Sequence, residues 1–365
     1  MAHELGFRDP AFARQMGAAI HDLAKGRETV KICHVCGTHE WTITHHGLRN
    51  LLPPNVELIA GPGCPVCIVP ASEIDEAVRL AREGIVITLF GDLLRVPGSQ
   101  ESLLEVKAEG GDVRVVYGIR DAVRLASKEP DKEFVFFAVG FETTAPSSAV
   151  EVLKGPPRNF SLFTSHRRIP PAMRALAEMP QIGVAGFIAP GHVSTVIGVR
   201  PYEVFPRTYR IPTVIAGFEP LDVLFSVYMI LRQLDEESLR VENEYSRIVQ
   251  NEGNLRAQEV MRDAFETVDA RWRGLGTIPA SALRLREQHS AFDTRKKHGV
   301  KTSEGVDTQP GCRCNLIIVG MAKPADCPLF MKSCTPRKPV GACMVGSEGT
   351  CRIWAENQQS FPNIS

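Results

Sequence analysis

Eight short apolar runs, separated by stretches of helical periodicity, set the tightest limit on what this chain can fold into. Val30 to Val35, Val56 to Ala60, Ile85 to Phe90 and Val113 to Tyr117 come first; Phe134 to Val139, Phe160 to Thr164, Val184 to Ile188 and Thr213 to Ala216 follow. Helical patterns lie near 40–50, 71–82 and 99–109, then 145–153, 168–178 and 219–234, after an amphipathic opening helix at 8–24. Strands apolar on both sides must be covered on both faces, as parallel sheets joined by crossover helices are. The expected architecture is therefore α/β, with two similar parallel-sheet units carrying helices on both faces. The first unit is expected in 1–130 and the second in 131–235, with 236–365 left as a charged helical connector (Glu242 to Gln250, Leu255 to Val268) and an irregular C-terminal segment. A length of 365 residues agrees with two or three domains.

The spacing of polar motifs against these strands predicts where function sits. Cys36 to Cys64 is 28 residues and Cys64 to Asp92 is 28 again, close to the roughly 30 residues of one strand–helix–strand unit. All three are expected at the carboxyl margin of the first sheet. Gly140-Phe-Glu-Thr-Thr-Ala-Pro146, Ser165-His166, Pro190-Gly-His192 and Gly217-Phe-Glu-Pro220 follow the later strands in the same way. Open parallel sheets bind ligands outside the carboxyl ends of their strands, so a cleft between two sheets, lined by these loops, is expected.

Composition narrows the chemistry. Lys plus Arg and Asp plus Glu number 42 each, with no long run of one sign, which argues against nucleic acid as a partner. Met1 to Asp9 is polar and charged, without the apolar centre of a signal peptide. The longest apolar runs, such as Phe134 to Phe141, are far too short to span a membrane. A cytoplasmic location is the expectation, and there ten cysteines point to metal ligation or thiol redox chemistry rather than structural disulfides.

In Gly61-Pro-Gly-Cys-Pro-Val-Cys67 a buried strand breaks into a tight loop expected to present Cys64 and Cys67 as exposed sulfurs. The helix predicted at 71–82 would set its positive end near both, and a helix N-terminus favours the thiolate. Cys33-His-Val-Cys36-Gly-Thr-His-Glu40 adds a second pair, but 27 residues separate the pairs, whereas a zinc ribbon wants roughly 15 to 20. Cys33 falls inside a predicted strand and is expected to be a buried, structural thiol. Cys36 lies where that strand ends, with Thr38 a candidate cap for the next helix. Cys36, Cys64 and Cys67 are expected to meet as a soft thiolate site for iron, copper(I) or zinc, with His39 and Glu40 beside it. Glu142 would face the cysteines across the cleft, with Thr143 and Thr144 as donors. Gly191-His192 is weaker, since a lone histidine at a strand end usually has a structural partner.

The last segment cannot build an apolar core of its own. Between 310 and 350 it holds ten prolines or glycines and five cysteines, so a metal or cross-links must hold it together. Cys312-Arg-Cys314 is followed by Cys327, Cys334, Cys343 and Cys351, the last four spaced x6, x8 and x7. Four cysteines on an irregular loop suit zinc or a [4Fe-4S] cluster, and Cys312 with Cys314 would be a neighbouring thiol pair able to exchange electrons with a cluster.

Cys36-Gly-Thr-His-Glu40, Gly61-Pro-Gly-Cys-Pro-Val-Cys67, Gly140-Phe-Glu-Thr-Thr-Ala-Pro146 and the tail from Cys327-Pro-Leu-Phe through Gly341-Ala-Cys-Met-Val to Glu348-Gly-Thr-Cys351 resemble the HypD family of hydrogenase maturation factors, over nearly the whole chain. The resemblance implies a cofactor-assembly scaffold with redox activity rather than a turnover enzyme. On it the Fe(CN)2CO centre of nickel-iron hydrogenases would be built, in complex with HypC and with cyanide accepted from HypE, by a chain monomeric before the complex forms. It implies Cys36, Cys64 and Cys67 as the iron site, supported by His39 and Glu142, and a [4Fe-4S] cluster on Cys327, Cys334, Cys343 and Cys351. A cluster-dependent thiol–disulfide oxidoreductase, with Cys-Pro-Val-Cys as its exchanging pair, is the rival reading from another class.

Overall fold

The computed structural model describes residues 6–301 and 305–357. Met1 to Leu5, part of the polar N-terminal segment noted above, and residues 358–365 of the C-terminal segment lie outside them. Eight of the strands are those expected: β1 Val30–His34, β2 Val56–Ala60, β3 Val86–Leu89, β4 Val113–Val115, β5 Phe134–Gly140, β6 Phe160–His166, β7 Val184–Pro190 and β8 Thr213–Ala216. Their assortment differs from the expectation. One sheet runs β2-β1-β7-β8-β9, where β9 is Val241–Asn243, and the other runs β4-β3-β5-β6. Every pairing in both is parallel.

The first four strands thus do not share a sheet: the chain lays down two strands of one, builds the whole of the other, and returns. Asp92, which follows β3, belongs with the second sheet and not with Cys36 and Cys64. A strand–helix–strand repeat has the same length whichever sheet its strand joins, so spacing could not reveal the exchange.

Period-2 alternation explains how both faces are covered. In β5, Val135, Phe137 and Val139 pack with the helix Ala71–Arg82, while Phe134, Phe136 and Ala138 pack with the helices Ile119–Lys128 and Ala145–Leu153. Each such phenylalanine, fully buried, contributes about 1.5–3 kcal/mol. In β1, Val30 and Ile32 face the helices Pro10–Ala24 and Pro220–Asp235, whereas Cys33 points to the inner core, where its thiol is buried as expected of a structural residue.

The helical connector is corrected more sharply. Only Leu255–Ala264 is helical there; β10 Phe265–Trp272 and β11 Gly276–Leu285 form an antiparallel hairpin. Gly274 and Gly276, with φ of 78° and 77°, turn the chain, and Trp272 is buried, with its indole N–H donating to Ser281 Oγ at 2.9 Å. The charged residues of β10, Glu266, Asp269 and Arg271, are exposed or half-buried. Arg273 then ties the hairpin to the cysteine loop, its amide donating to Ile68 O (2.8 Å) and its Nε to Val69 O (2.6 Å).

Glu40 anchors the C-terminal helix Thr350–Glu356 to the first sheet. Its buried carboxylate meets His34 Nε2 at 2.8 Å and Arg49 at 2.8 and 3.0 Å, and accepts from Thr44 Oγ1 (2.6 Å) and Trp354 Nε1 (2.8 Å). Burial alone would raise its pKa, but Arg49 and His34 outweigh burial and hold it well below the usual carboxylate range. Glu40 is therefore an ionised structural anchor, and it lies, as expected, beside the cavity that Cys36, Cys64 and Cys67 share. A carboxylate depressed on folding stabilises above its unfolded pKa, about 4.3, and loses that contribution as pH falls through and below it. Glu40→Ala is expected to cost about 3–5 kcal/mol in urea unfolding at neutral pH and to flatten the loss of stability below about pH 4–5.

Candidate functional site

Cys36 ends the first β-α turn as the N-cap of the helix Gly37–His45, a place the sequence reading had offered to Thr38. Thr38 lies in the first turn instead and hydrogen-bonds the Cys36 thiol. The loop after β2 closes on the same point. A Cβ on Gly63 would sit 2.2 Å from Cys36 N and 2.4 Å from its Cα, so only glycine permits this approach. Cys64 and Cys67 are joined as a disulfide, with Cys67 N donating to Cys64 Sγ at 3.2 Å. Both are buried, at 7% and 0% exposure, rather than presented to solvent as expected. The three cysteines do converge: Cys36, Cys64 and Cys67 line one small cavity of about 10 Å³ together with Glu348 and Cys343.

Cys64 and Glu348 also line an open cleft of about 290 Å³ between the two sheet margins, with Asp92, Val139, Gly140 and Thr144 on its other wall. Thr144 is thus a cleft residue, as the sequence suggested. Glu142 is not. Its buried carboxylate accepts the Ile169 amide at 3.1 and 3.2 Å, at the start of the helix Ile169–Ala177. Burial pushes it up to about 7. The buried phenol of Tyr202 feels the Glu142 and Cys36 charges, both of which raise its pKa behind the larger effect of burial, and shares a 3.1 Å hydrogen bond with Ser194.

His39 turns from the cavity as well. Its Nε2–H donates to Gly217 O at 2.9 Å and its ring lies 5.0 Å from that of Phe218. Burial, reinforced by His34, pulls it down to about 3, so it is neutral. The imidazole that does meet Cys36 is His192, with Nδ1 3.9 Å from Sγ, held neutral by burial that lowers it to about 4. The sequence placed Pro190-Gly-His192 among the cleft loops but ranked His192 as a structural histidine, and nothing in it marked Tyr202. Glu348 stood inside a recognisable tail motif without a role; a carboxylate beside Gly-Thr-Cys was the available hint. Burial pushes the Cys36 thiol up to about 12 and the Glu348 charge adds to this, against hydrogen bonds from His39 and Thr38. Glu348 is itself raised by burial and then by Asp92. A cation placed here would find two carboxylates and a thiol whose proton it displaces.

Behind the cavity the six tail cysteines share one apolar cluster with Cys33, Cys64 and Cys67. Cys314 Sγ lies 2.7 Å from Cys343 Sγ, and Cys312 Sγ accepts from Cys314 N at 3.4 Å. Cys334 Sγ accepts from Val340 N at 3.3 Å, and Cys67 Sγ is 3.9 Å from Ala342 O. The Cys312/Cys314 pair is not set apart from the other four. Among the described residues no group of three or more His, Cys, Asp or Glu is arranged to hold a metal ion.

Fold and site together define a class: an α/β protein with two parallel sheets, one of whose margins holds a thiol and a disulfide in one cavity backed by a cysteine-rich tail. Among known proteins, the HypD profile, described as "Hydrogenase formation hypA family", matches residues 11–358. The chain is 46% identical over 357 residues to hydrogenase maturation factor HypD2 of Bradyrhizobium diazoefficiens, covering 94% of each. It is 45% identical over 354 residues to a putative hydrogenase expression/formation protein of Methanocaldococcus jannaschii (96% and 98% covered). It is also 45% identical over 362 residues to the HypD of Rhizobium leguminosarum (96% and 94%). The chain belongs to the HypD family of hydrogenase maturation factors, and its role lies in hydrogenase formation.

Two measurements probe this geometry. Gly63→Ala forces Cβ into the Cys36 backbone and is expected to cost about 1–3 kcal/mol in stability, while Gly84→Ala, with nothing near its Cβ, disturbs only its own left-handed turn and leaves Cys36 labelling unchanged. Glu348→Gln removes a charge that raises the Cys36 pKa. The pH profile of Cys36 alkylation by iodoacetamide, followed by mass spectrometry, should therefore move to lower pH; an unchanged profile would mean the two groups do not interact.

Proposed function

We propose that this chain is the scaffold on which the Fe(CN)2CO centre of nickel-iron hydrogenases is assembled, in a complex with HypC and with cyanide received from HypE, in the cytoplasm. No helix among the described residues is long and apolar enough to cross a membrane. The observation that carries this reading is the single cavity shared by Cys36, Cys64, Cys67 and Cys343. The iron is the cargo here. Cys36 with the reduced Cys64 and Cys67 would grip it, since thiolates suit low-spin iron(II) carrying strong-field ligands. Glu348 and Asp92 add negative charge beside it. His39 and Glu142 act by positioning the walls, His39 through Gly217 and Glu142 through Ile169.

The donor set of the tail fits a resident iron–sulfur group: six cysteines close together in apolar surroundings, on a segment with little regular structure. Cys327, Cys334, Cys343 and Cys351 would hold a [4Fe-4S] cluster, which supplies single electrons when bound, and Cys312 with Cys314 would lie beside it. The contact between Cys314 and Cys343 makes the division into four and two the assignment most open to direct test.

The Cys64–Cys67 disulfide in the same cavity as Cys343 favours a second reading, a cluster-dependent thiol–disulfide oxidoreductase. Opening that disulfide consumes two electrons and two protons and yields two thiols. Infrared spectra of the complex purified without oxygen separate the two: the scaffold gives cyanide and carbonyl stretches, both lost in Cys36→Ala. A wild-type complex with neither band, but with a disulfide that cycles, would favour the oxidoreductase.

A further inference from the structure

On the far side of the Cys64–Cys67 loop lies a cavity of about 340 Å³ that shares no lining residue with the cysteine cleft. It opens between the β10–β11 hairpin and the carboxyl end of β6, where Arg167 pairs with Ala282 across the gap. Four arginines line it, Arg167, Arg271, Arg284 and Arg295, against two carboxylates, Glu73 and Asp269. Their pairing is uneven. Arg167 and Arg295 both lean on the same oxygen of Glu73, at 3.0 and 2.9 Å, and Arg271 is held by Asp307 at 3.0 Å. Arg284 has no ion-pair partner within 4 Å among the described residues; Glu266 is opposite it in the hairpin register, and Asp293 is the nearby acid on the segment after β11. Asp269 spends an oxygen on the Ala280 amide at 2.8 Å.

Arg167 is 1% exposed, and its Nε is buried with no partner among the described residues. A buried guanidinium left partly unsatisfied invites an acceptor from outside the chain. The helix Ala71–Arg82 begins at the same wall, with Pro70, Ser72 and Glu73 lining the cavity, so its positive end adds to the arginines. Guanidinium forks match phosphate oxygens two at a time.

We infer that this cavity binds a small oxyanion of the phosphate class, a free phosphate or diphosphate or the terminal group of a nucleotide, gripped by Arg167, Arg284 and Arg295. The site is independent of the iron chemistry proposed above.

Isothermal titration of the full chain, at about 50 mM salt where surface charges are weakly screened, tests it with inorganic phosphate, pyrophosphate and a nucleoside diphosphate in turn. Saturable binding of at least one probe below ~1 mM is expected. Arg284→Glu should weaken it by ~10-fold or more, and Asp269→Asn, which removes a competing lining charge, should strengthen it by about threefold. Both positions are exposed, so unchanged thermal unfolding of the free variants shows that the fold survives. Tighter binding of the nucleoside diphosphate identifies the nucleotide form, and tighter binding of pyrophosphate the free anion. No saturable binding of any probe, or affinity insensitive to both substitutions, overturns the inference.

Discussion

Burial of the thiols governs the rest of this structure. A cysteine sulfur in an apolar interior keeps its proton, and Cys36, with its pKa pushed up to about 12, cannot act as a ligand or nucleophile until something compensates the charge. That compensation is absent from the side chains closest to it, since His192 is neutral and Glu348 is acidic. A positive charge placed beside Cys36 would favour its thiolate and offset the charge of Glu348. Burial thus keeps the Cys36 thiol protonated and quiet.

The exchange of strands between sheets gives the open cleft beside that cavity its walls. β1 and β2 bring Cys36 and the Cys64–Cys67 loop to one margin, while β3 and β5 bring Asp92 and the Gly140–Thr144 turn to the other. The tail then seals the seam. Glu348 packs where a side chain on Gly37 would otherwise stand, with its Cβ 2.4 Å from that position, and Cys343 enters the cavity from behind. Glu40 fastens the following helix through Trp354. A segment poor in regular structure is thus held by packing on the first sheet.

The interior also divides its polar groups by task. His39 and Glu142, both named from motifs, are turned toward backbone groups and shape the walls, whereas His192, Tyr202 and Glu348 stand nearer the sulfur. Motif residues at a strand's end can satisfy either the adjoining helix or the open margin, and the local sequence is the same in both cases. His39 turns to Gly217, far along the chain, and Glu142 to Ile169 at the start of the helix after the next strand.

From the amino-acid order alone one could read the eight strands, the helices between them, the carboxyl-margin placement of the motifs and the meeting of Cys36 with Cys64 and Cys67. These follow from short-range physics: period-2 burial, helix periodicity, and glycine and proline at turns. The partition of strands between sheets, the hairpin in place of a helical connector, and the turning away of His39 and Glu142 were settled only in three dimensions. The strand partition and the turn of His39 depend on contacts between residues more than a hundred positions apart, such as β1 with β7 and His39 with Gly217, whereas the hairpin and the Glu142–Ile169 bond are nearer in sequence but are pairings between elements that no periodicity encodes.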